Sequence, residues 1–510
     1  MIGARLRHAV GRETRGVDIV ASLNLVGILL LALSPAFLVP TGVALGYREP
    51  PVPFLAAGAI TAAAGLLLAR ATAGTRRVGI REGFLVVSLV WLLVPASGCL
   101  PYLLSGEKAL ASPLDAYFES MSGFTTTGSS VLSDAAVLND SLAFWRQFTM
   151  WLGGIGIIVL ALAVLPRLRV GGRQLFETEA PGPEVEPLTV TIRQTARRFL
   201  ILYAGITFAA IVALVLVGVT GLDDEMGPYD AISHSLATVA TGGFSPRTQG
   251  LVEFGAATHW VVLFFMVVSG TNFALMYVAL ARGGLRVFGR DEEFRLYLGL
   301  LGAASIVVVA DLLRTSVAGG EEAVRHALFN VTSLMTTTGF ATADFNEWGS
   351  LAVAVLVGVM FLGASAGSSS GSIKVVRHVI IWKMLRRELD QTVHPELVAP
   401  LRLNGRVVEE RALRGVIVFV ILYLGLVALG AMAVLADPAS RALEIGAFDA
   451  LAAAATTLGN VGPALGAAGP FGSYAHYGDG SKAVLTALMG LGRIEIIPVV
   501  VLLSRNYWRA

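Results

Sequence analysis

The stretch Thr125-Thr126-Thr127-Gly128-Ser129 recurs three times, altered, as Ala240-Thr241-Gly242-Gly243-Phe244, Thr336-Thr337-Thr338-Gly339-Phe340 and Gly459-Asn460-Val461-Gly462-Pro463. Aligned on Gly128, Gly243, Gly339 and Gly462, the segments upstream also fall into register. Thirteen residues before each glycine stand Asp115, Asp230, His326 and Asp449, and the next residue is always alanine: Ala116, Ala231, Ala327 and Ala450. One Gly/Thr cluster alone reads equally well as an ordinary turn between helices. Four in register with a shared upstream pattern are an internal repeat, which is a unit of architecture.

The chain around these phrases is strongly apolar. Of its 510 residues, 55% are hydrophobic and 15% charged, a balance outside that of soluble domains of this size. The formal net charge of +2 supplies no basic surface for nucleic acid. A single cysteine, Cys99, excludes an internal disulfide or a thiolate metal cluster. Apolar segments long enough to cross roughly 30 Å of hydrocarbon recur throughout. Ten are predicted, at residues 19–45, 52–69, 83–104, 142–165, 199–219, 260–280, 294–313, 351–382, 413–435 and 483–503. The first follows Arg5, Arg7, Arg12 and Arg15 but is too long for a signal-peptide core, so it reads as a retained span.

Short cytoplasmic loops retain positive charge, which orients the layout. With charges at span ends assigned to the adjoining loop, 28 of the 38 Lys and Arg residues fall on the side of both termini. Eight fall on the other side, Arg146 among them, and Lys374 and Arg493 lie within apolar spans. Both termini are therefore expected in the cytoplasm. The glycine phrases all lie in the outer connections after the third, fifth, seventh and ninth spans. Apolar runs there are too short to cross, and irregular backbone at membrane depth survives only where protein or a water-filled cavity surrounds it. These connections read as re-entrant pore linings.

An Asp opening a short helix can cap its free N–H groups, and about a dozen residues then give roughly three turns ending just before the glycine phrase. Four such helices aimed at one axis would bring their partially negative C-terminal ends together and favour a cation there. Glycine permits torsions that turn carbonyls inward, and Thr126, Thr241 and Thr337 could add hydroxyl oxygens. The chemistry implied is replacement of a dehydrated monovalent cation's water shell by protein oxygens.

Two further features sit inside spans. The eighth contains Gly363-Ala364-Ser365-Ala366-Gly367-Ser368-Ser369-Ser370-Gly371-Ser372, where a helix is expected to break. A flexible loop across the pore below the filter is the preferred reading, and a close helix-packing face the alternative. A phosphate loop does not fit the spacing to Lys374. Arg493, in the tenth span, is an intramembrane charge of the kind that faces a cavity or a partner, with a structural salt bridge to Glu495 or to an acid on another helix the alternative.

The fourfold phrase, the small-residue run and Arg493 together resemble the Trk/Ktr/HKT superfamily of potassium transporters over nearly the whole chain. The two spans before the first repeat resemble the bacterial TrkH type, whereas KtrB proteins lack that pair. The resemblance implies an all-α polytopic membrane protein with ten transmembrane helices. Four M1–pore helix–M2 repeats with pseudo-fourfold symmetry would surround one potassium pore, beside an N-terminal two-helix unit. The expected divisions are 1–78, 79–172, 173–284, 285–392 and 393–510. Carried over by position, the filter falls on Thr126, Thr127, Gly128, Thr241, Gly242, Gly243, Thr337, Thr338, Gly339, Asn460, Val461 and Gly462. The gate falls on Gly363, Gly367, Ser368, Ser369, Ser370, Gly371 and Arg493. Also implied are a homodimer in the bacterial inner membrane and a TrkA-like cytoplasmic ring carrying the nucleotide, NAD or ATP/ADP. Arg167, Arg169, Arg386 and Arg387 are candidate ring contacts. No nucleotide domain is expected on this chain, since no G-x-G-x-x-G follows a strand pattern. His326 in place of Asp, and Asn460 and Val461 in place of Thr, depart from the repeat. Alternatives are a KtrB-like sodium-dependent transporter and a secondary cation transporter of another fold, although repeats sharing one orientation argue against inversion. A membrane enzyme lacks convergent acid, base or ligand residues in the spans.

Overall fold

The computed structural model describes residues 16–74, 79–163, 192–397 and 399–509. Arg5, Arg7, Arg12, Arg15, Arg167, Arg169, the division at 172/173 and the last two residues of the fourth expected span lie outside the described residues. Helix dominates. Among the described residues the exception is a hairpin pairing Arg402–Leu403 antiparallel with Arg406–Val407.

Six helices among the described residues are long and apolar enough to cross a membrane: Ile19–Gly46, Val52–Ala71, Arg81–Ser105, Thr195–Val219, Glu292–Thr315 and Glu410–Ala436. They match the first, second, third, fifth, seventh and ninth expected spans. The fourth is the 24-residue helix Asp140–Ala163. The sixth is bent by 95° between Ala256–Ser269 and Phe273–Ala281, because Asn272 caps a new helix by accepting from the N–H groups of Ala274 and Leu275. The eighth stops at Ser350–Met360 and resumes as Val375–Val393. The tenth is split into Asp479–Arg493 and Ile497–Leu502, with Glu495 and Ile496 at φ of 62° and 61° between them. Apolarity sums over a window and is blind to such breaks.

Four shorter helices lead into the glycine phrases: Pro113–Phe124, Pro228–Ala240, Gly320–Met335 and Ala447–Gly459. Each packs against the long helices before and after it and also against the inner helix of another repeat. The first takes the helix Asp479–Arg493 of the last repeat, the second Asp140–Ala163, the third Ala256–Ser269 and the fourth Ser350–Met360. The order therefore closes on itself. The shared alanines Ala116, Ala231, Ala327 and Ala450 are all fully buried, so a larger side chain has no room there.

The expected capping role of the aspartates is corrected. Asp115, Asp230 and Asp449 are third in their helices, behind Ser112, Gly227 and Gly446. Asp449 reaches back to accept from the Gly446 N–H at 3.1 Å, whereas Asp115 pairs with Lys482 at 2.8 Å and Asp230 with Arg247 at 2.7 Å. Carboxylates in a first turn still complement the helix dipole. The third helix begins earlier, so His326 lies in its interior and its ring meets Thr342 Oγ1 at 2.8 Å. Arg146, assigned from the sequence to an outer loop, is instead buried on the helix Asp140–Ala163.

Candidate ion filter and intramembrane loop

The four short helices end at the first residue of each phrase or at the residue just before it, and their last turns are buried. Two residues before each glycine, at Thr126, Thr241, Thr337 and Asn460, φ is 53°, 54°, 59° and 53°. At Gly128, Gly243, Gly339 and Gly462 it is 84°, 78°, 84° and 111°. One backbone path is thus repeated four times. A non-glycine residue in the left-handed region costs about 1–2 kcal/mol, and asparagine is among the residues that tolerate it best. Asn460 is therefore a conformational equivalent of the threonines.

The glycines bring the phrases together. A Cβ on Gly128 would strike the carbonyl oxygen of Gly242; on Gly243, that of Thr338; on Gly339, that of Val461; on Gly462, that of Thr127. Each repeat thus presses on the next, and the last on the first. The oxygens met are always those of the residue just before the neighbouring glycine. An open cavity of about 110 Å³ is lined by all four glycines, with Ser129, Phe244, Phe340 and Pro463 at their sides.

Side chains of the phrases mostly turn away into the surrounding shell. Thr127 Oγ1 lies 2.7 Å from Thr125 Oγ1 and accepts from Asn460 Nδ2 at 2.9 Å. Thr338 Oγ1 lies 2.8 Å from Thr336 Oγ1. The three threonine hydroxyls that could add oxygens to the site differ in their partners. Thr126 Oγ1 is buried without a partner among the described residues, Thr241 Oγ1 donates to Ala240 O at 2.6 Å, and Thr337 Oγ1 accepts from the Gly371 N–H at 2.9 Å.

That last contact places the small-residue run beside the third glycine phrase. Ser369 Oγ donates to the carbonyls of Val239 and Ser269, at 3.1 and 3.3 Å. A Cβ on Gly371 would strike the carbonyl oxygen of Gly459. Arg493, 3% exposed, donates from one terminal nitrogen to Ser369 O at 2.9 Å. Its other terminal nitrogen is 3.5 Å from Gly153 O, and its Nε meets no acceptor among the described residues. A salt bridge from Arg493 to Glu495 is not what forms. Glu495 is taken by Lys374 at 3.1 Å and Arg377 at 2.8 Å, both just beyond the run.

Several residues that sequence reasoning missed complete the site. Glu293, buried on Glu292–Thr315, accepts from the Ala366 N–H at 2.6 Å and the Val376 N–H at 3.2 Å, fastening the loop to the start of the helix Val375–Val393 that follows it. Glu119, fully buried, accepts from Ser130 Oγ, the Val131 N–H and Arg146 Nε, at 3.0, 3.0 and 2.8 Å. Arg146 reaches on to Ser245 O of the second repeat at 3.1 Å and lies over the Phe244 ring. Among the described residues no group of three or more His, Cys, Asp or Glu could hold a metal ion.

Four short helices aimed at one ring of backbone carbonyls, each held between apolar helices, define a pore protein built of repeated M1–pore helix–M2 units. The comparisons agree with that class. The TrkH family, described as cation transport proteins, matches residues 52–509. The "Trk system potassium uptake protein TrkH" of Vibrio parahaemolyticus is 35% identical, covering 96% of this chain and 99% of that protein. Its namesake in Escherichia coli K12 is 34% identical over the same shares. The crystal structure of the potassium transporter TrkH from Vibrio parahaemolyticus superposes with a TM-score of 0.85 at 31% identity, covering 97% of this chain and 100% of that one. This chain belongs to the TrkH family, with its all-α polytopic membrane fold, and is a transporter of the bacterial inner membrane rather than an enzyme. A secondary transporter of another fold is thereby set aside.

Proposed function

We propose that this chain takes up potassium across the bacterial inner membrane through a filter made by its four glycine phrases, as the TrkH component of a Trk system. The observation that carries this is the closed ring in which each glycine abuts the carbonyl of the next repeat, from the first to the fourth and back. Backbone carbonyls replacing a hydration shell are the chemistry of potassium selectivity. Ten crossing elements with pseudo-fourfold symmetry are the arrangement we assign, with divisions at 1–78, 79–172, 173–284, 285–392 and 393–510. The helices Ile19–Gly46 and Val52–Ala71 supply the N-terminal pair that a KtrB-like protein lacks. Both termini face the cytoplasm in this reading. Potassium-dependent growth and rubidium uptake in cells lacking their own potassium uptake systems test it. Growth at low potassium without added sodium is expected, and absence of rubidium uptake from a correctly inserted protein refutes the assignment.

In the same reading the run from Gly363 to Ser372, held by Arg493, is a gate. Glu293→Ala removes the acceptor for one N–H of the loop and one at the start of the helix that follows it, each costing about 1–3 kcal/mol if left buried and unpaired. Rubidium flux is expected to rise severalfold, and Glu293→Gln, which keeps one acceptor oxygen, to stay near wild type. Equal flux in both variants and wild type counts against a fastening role. We also assign a homodimer and a TrkA-like cytoplasmic ring bearing the nucleotide, NAD or ATP/ADP, with the exposed Arg386 and its neighbour Arg387, which pairs with Glu410, among the contacts. Reversing both charges is expected to weaken co-purification with a TrkA-type protein. Unchanged recovery removes these two arginines from the interface.

A further inference from the structure

The alignment that finds the filter also singles out a position behind it. Nine residues before Gly128, Gly243, Gly339 and Gly462 stand Glu119, His234, Asn330 and Ala453. Their side chains have no similarity of charge or shape, yet all four are fully buried in the pore helices. In three repeats this residue reaches the strand leaving the filter. Glu119 accepts from Ser130 Oγ at 3.0 Å. His234 Nε2 lies 2.9 Å from Ser245 Oγ, while its Nδ1 is held by Asp230 O at 2.9 Å. Asn330 Nδ2 donates to Thr342 Oγ1 at 3.0 Å.

Ser130 and Ser245 are both two residues past their filter glycines, and Thr342 is three past. In the fourth repeat both ends of this tether are alanine, Ala453 and Ala464, each fully buried. Losing both partners together leaves no polar group stranded, which is how such a bond can vanish from one repeat without cost to the fold. The fourth exit strand is held otherwise: Thr456 Oγ1 donates to Pro463 O at 3.0 Å, and Ser129 Oγ of the first repeat to Gly462 O at 2.9 Å.

We propose that Glu119, His234 and Asn330 are positioning residues that fix the exit of each filter strand, and that ion discrimination depends on these tethers. The inference rests on the filter reading above. A carbonyl cage discriminates between ions of similar charge only while its oxygens resist collapsing onto the smaller one, and a strand fastened on both sides of its glycine resists better than one fastened on one side. None of the three side chains lines the path. They act through the backbone. The first repeat is braced most firmly, because Glu119 is also tied to Arg146, which crosses to Ser245 O of the second repeat at 3.1 Å.

The test copies the fourth repeat into the others. His234→Ala with Ser245→Ala, and separately Asn330→Ala with Thr342→Ala, remove both ends of one tether as Ala453 and Ala464 do naturally. Sodium and rubidium fluxes are measured for the full-length protein in proteoliposomes, with His234→Gln as the conservative variant and Gly243→Ser in parallel. A severalfold higher sodium-to-rubidium ratio in both alanine pairs, with His234→Gln closer to wild type, is expected. If Gly243→Ser raises the ratio while both alanine pairs leave it unchanged, including where total flux falls, the side chains serve folding alone and the inference is overturned. If Gly243→Ser also leaves it unchanged, the filter reading itself has failed and takes the inference with it.

Discussion

Gly128→Ser, Gly243→Ser and Gly339→Ser are each expected to degrade potassium-over-sodium discrimination by about tenfold or more, the equivalent of ~1.4 kcal/mol in relative ion stabilisation. Two effects add at each position. The φ values of 84°, 78° and 84° disfavour any side chain, and the new Cβ would fall on a carbonyl oxygen of the adjacent repeat. That oxygen must move, so one substitution disturbs two quarters of the ring. Gly462→Ser is expected to be milder, since its Cβ would stand 2.8 Å from Thr127 O, the loosest of the four approaches. Sodium and rubidium fluxes in proteoliposomes, with intact protein verified by size exclusion, give the readout. Normal selectivity in all four variants would remove the glycines from the filter.

The repeat was legible because glycine is demanded by geometry that no other residue meets cheaply, so all four copies keep it and the alignment finds itself. The small-residue run and Arg493 were legible for a related reason: each is anomalous inside an apolar span. Glu119, His234 and Asn330 were not, although they stand in the same register. What that position requires is a buried group reaching one strand, and carboxylate, imidazole and amide all supply it, so no residue type repeats. Arg146 was misplaced because charge counting sees only distance from a span's end, whereas its burial depends on Glu119, which is 27 residues earlier in sequence. The aspartates of the repeat were assigned to capping from their residue type. Their place, third in the helix, depends on where the chain turns in, which Pro113, Pro228 and Gly446 decide.

The breaks in the sixth, eighth and tenth spans share a consequence that hydropathy alone could not have supplied. All three occur where an inner helix comes close to pore-helix ends. A Cβ on Gly270 would meet Thr336, one on Gly371 the carbonyl oxygen of Gly459, and one on Gly492 that of Leu458. A straight helix of ordinary residues could not come so near. The unbroken inner helix of the first repeat makes its approach through Gly153, beside Phe124 O. Close packing against the ends of the short helices is therefore common to the four repeats, and breakage is the solution in three of them.

Into that packed space the third repeat inserts its loop, and the second large effect follows from how it is held. Arg493 donates to Ser369 O from within the protein interior, with no carboxylate in ion-pair reach among the described residues. A lone charge here is destabilising by itself, so its retention implies a task. Its charge opposes a passing cation by about 2 kcal/mol for an approach of roughly 8 Å at an effective dielectric constant of about 20. Arg493→Ala is accordingly expected to raise rubidium flux by roughly thirtyfold when that barrier is lost. Deleting the residues from Gly363 to Ser372 should raise flux as well, by clearing the space below the filter. The two changes act on one barrier, which cannot be removed twice, so the combined variant should gain less than the product of the single gains. Rubidium uptake into proteoliposomes at matched protein density compares wild type, Arg493→Ala, the loop deletion and the pair. Unchanged or lower flux in both single variants, with assembly intact, would leave the loop as a packing element and Arg493 as its anchor.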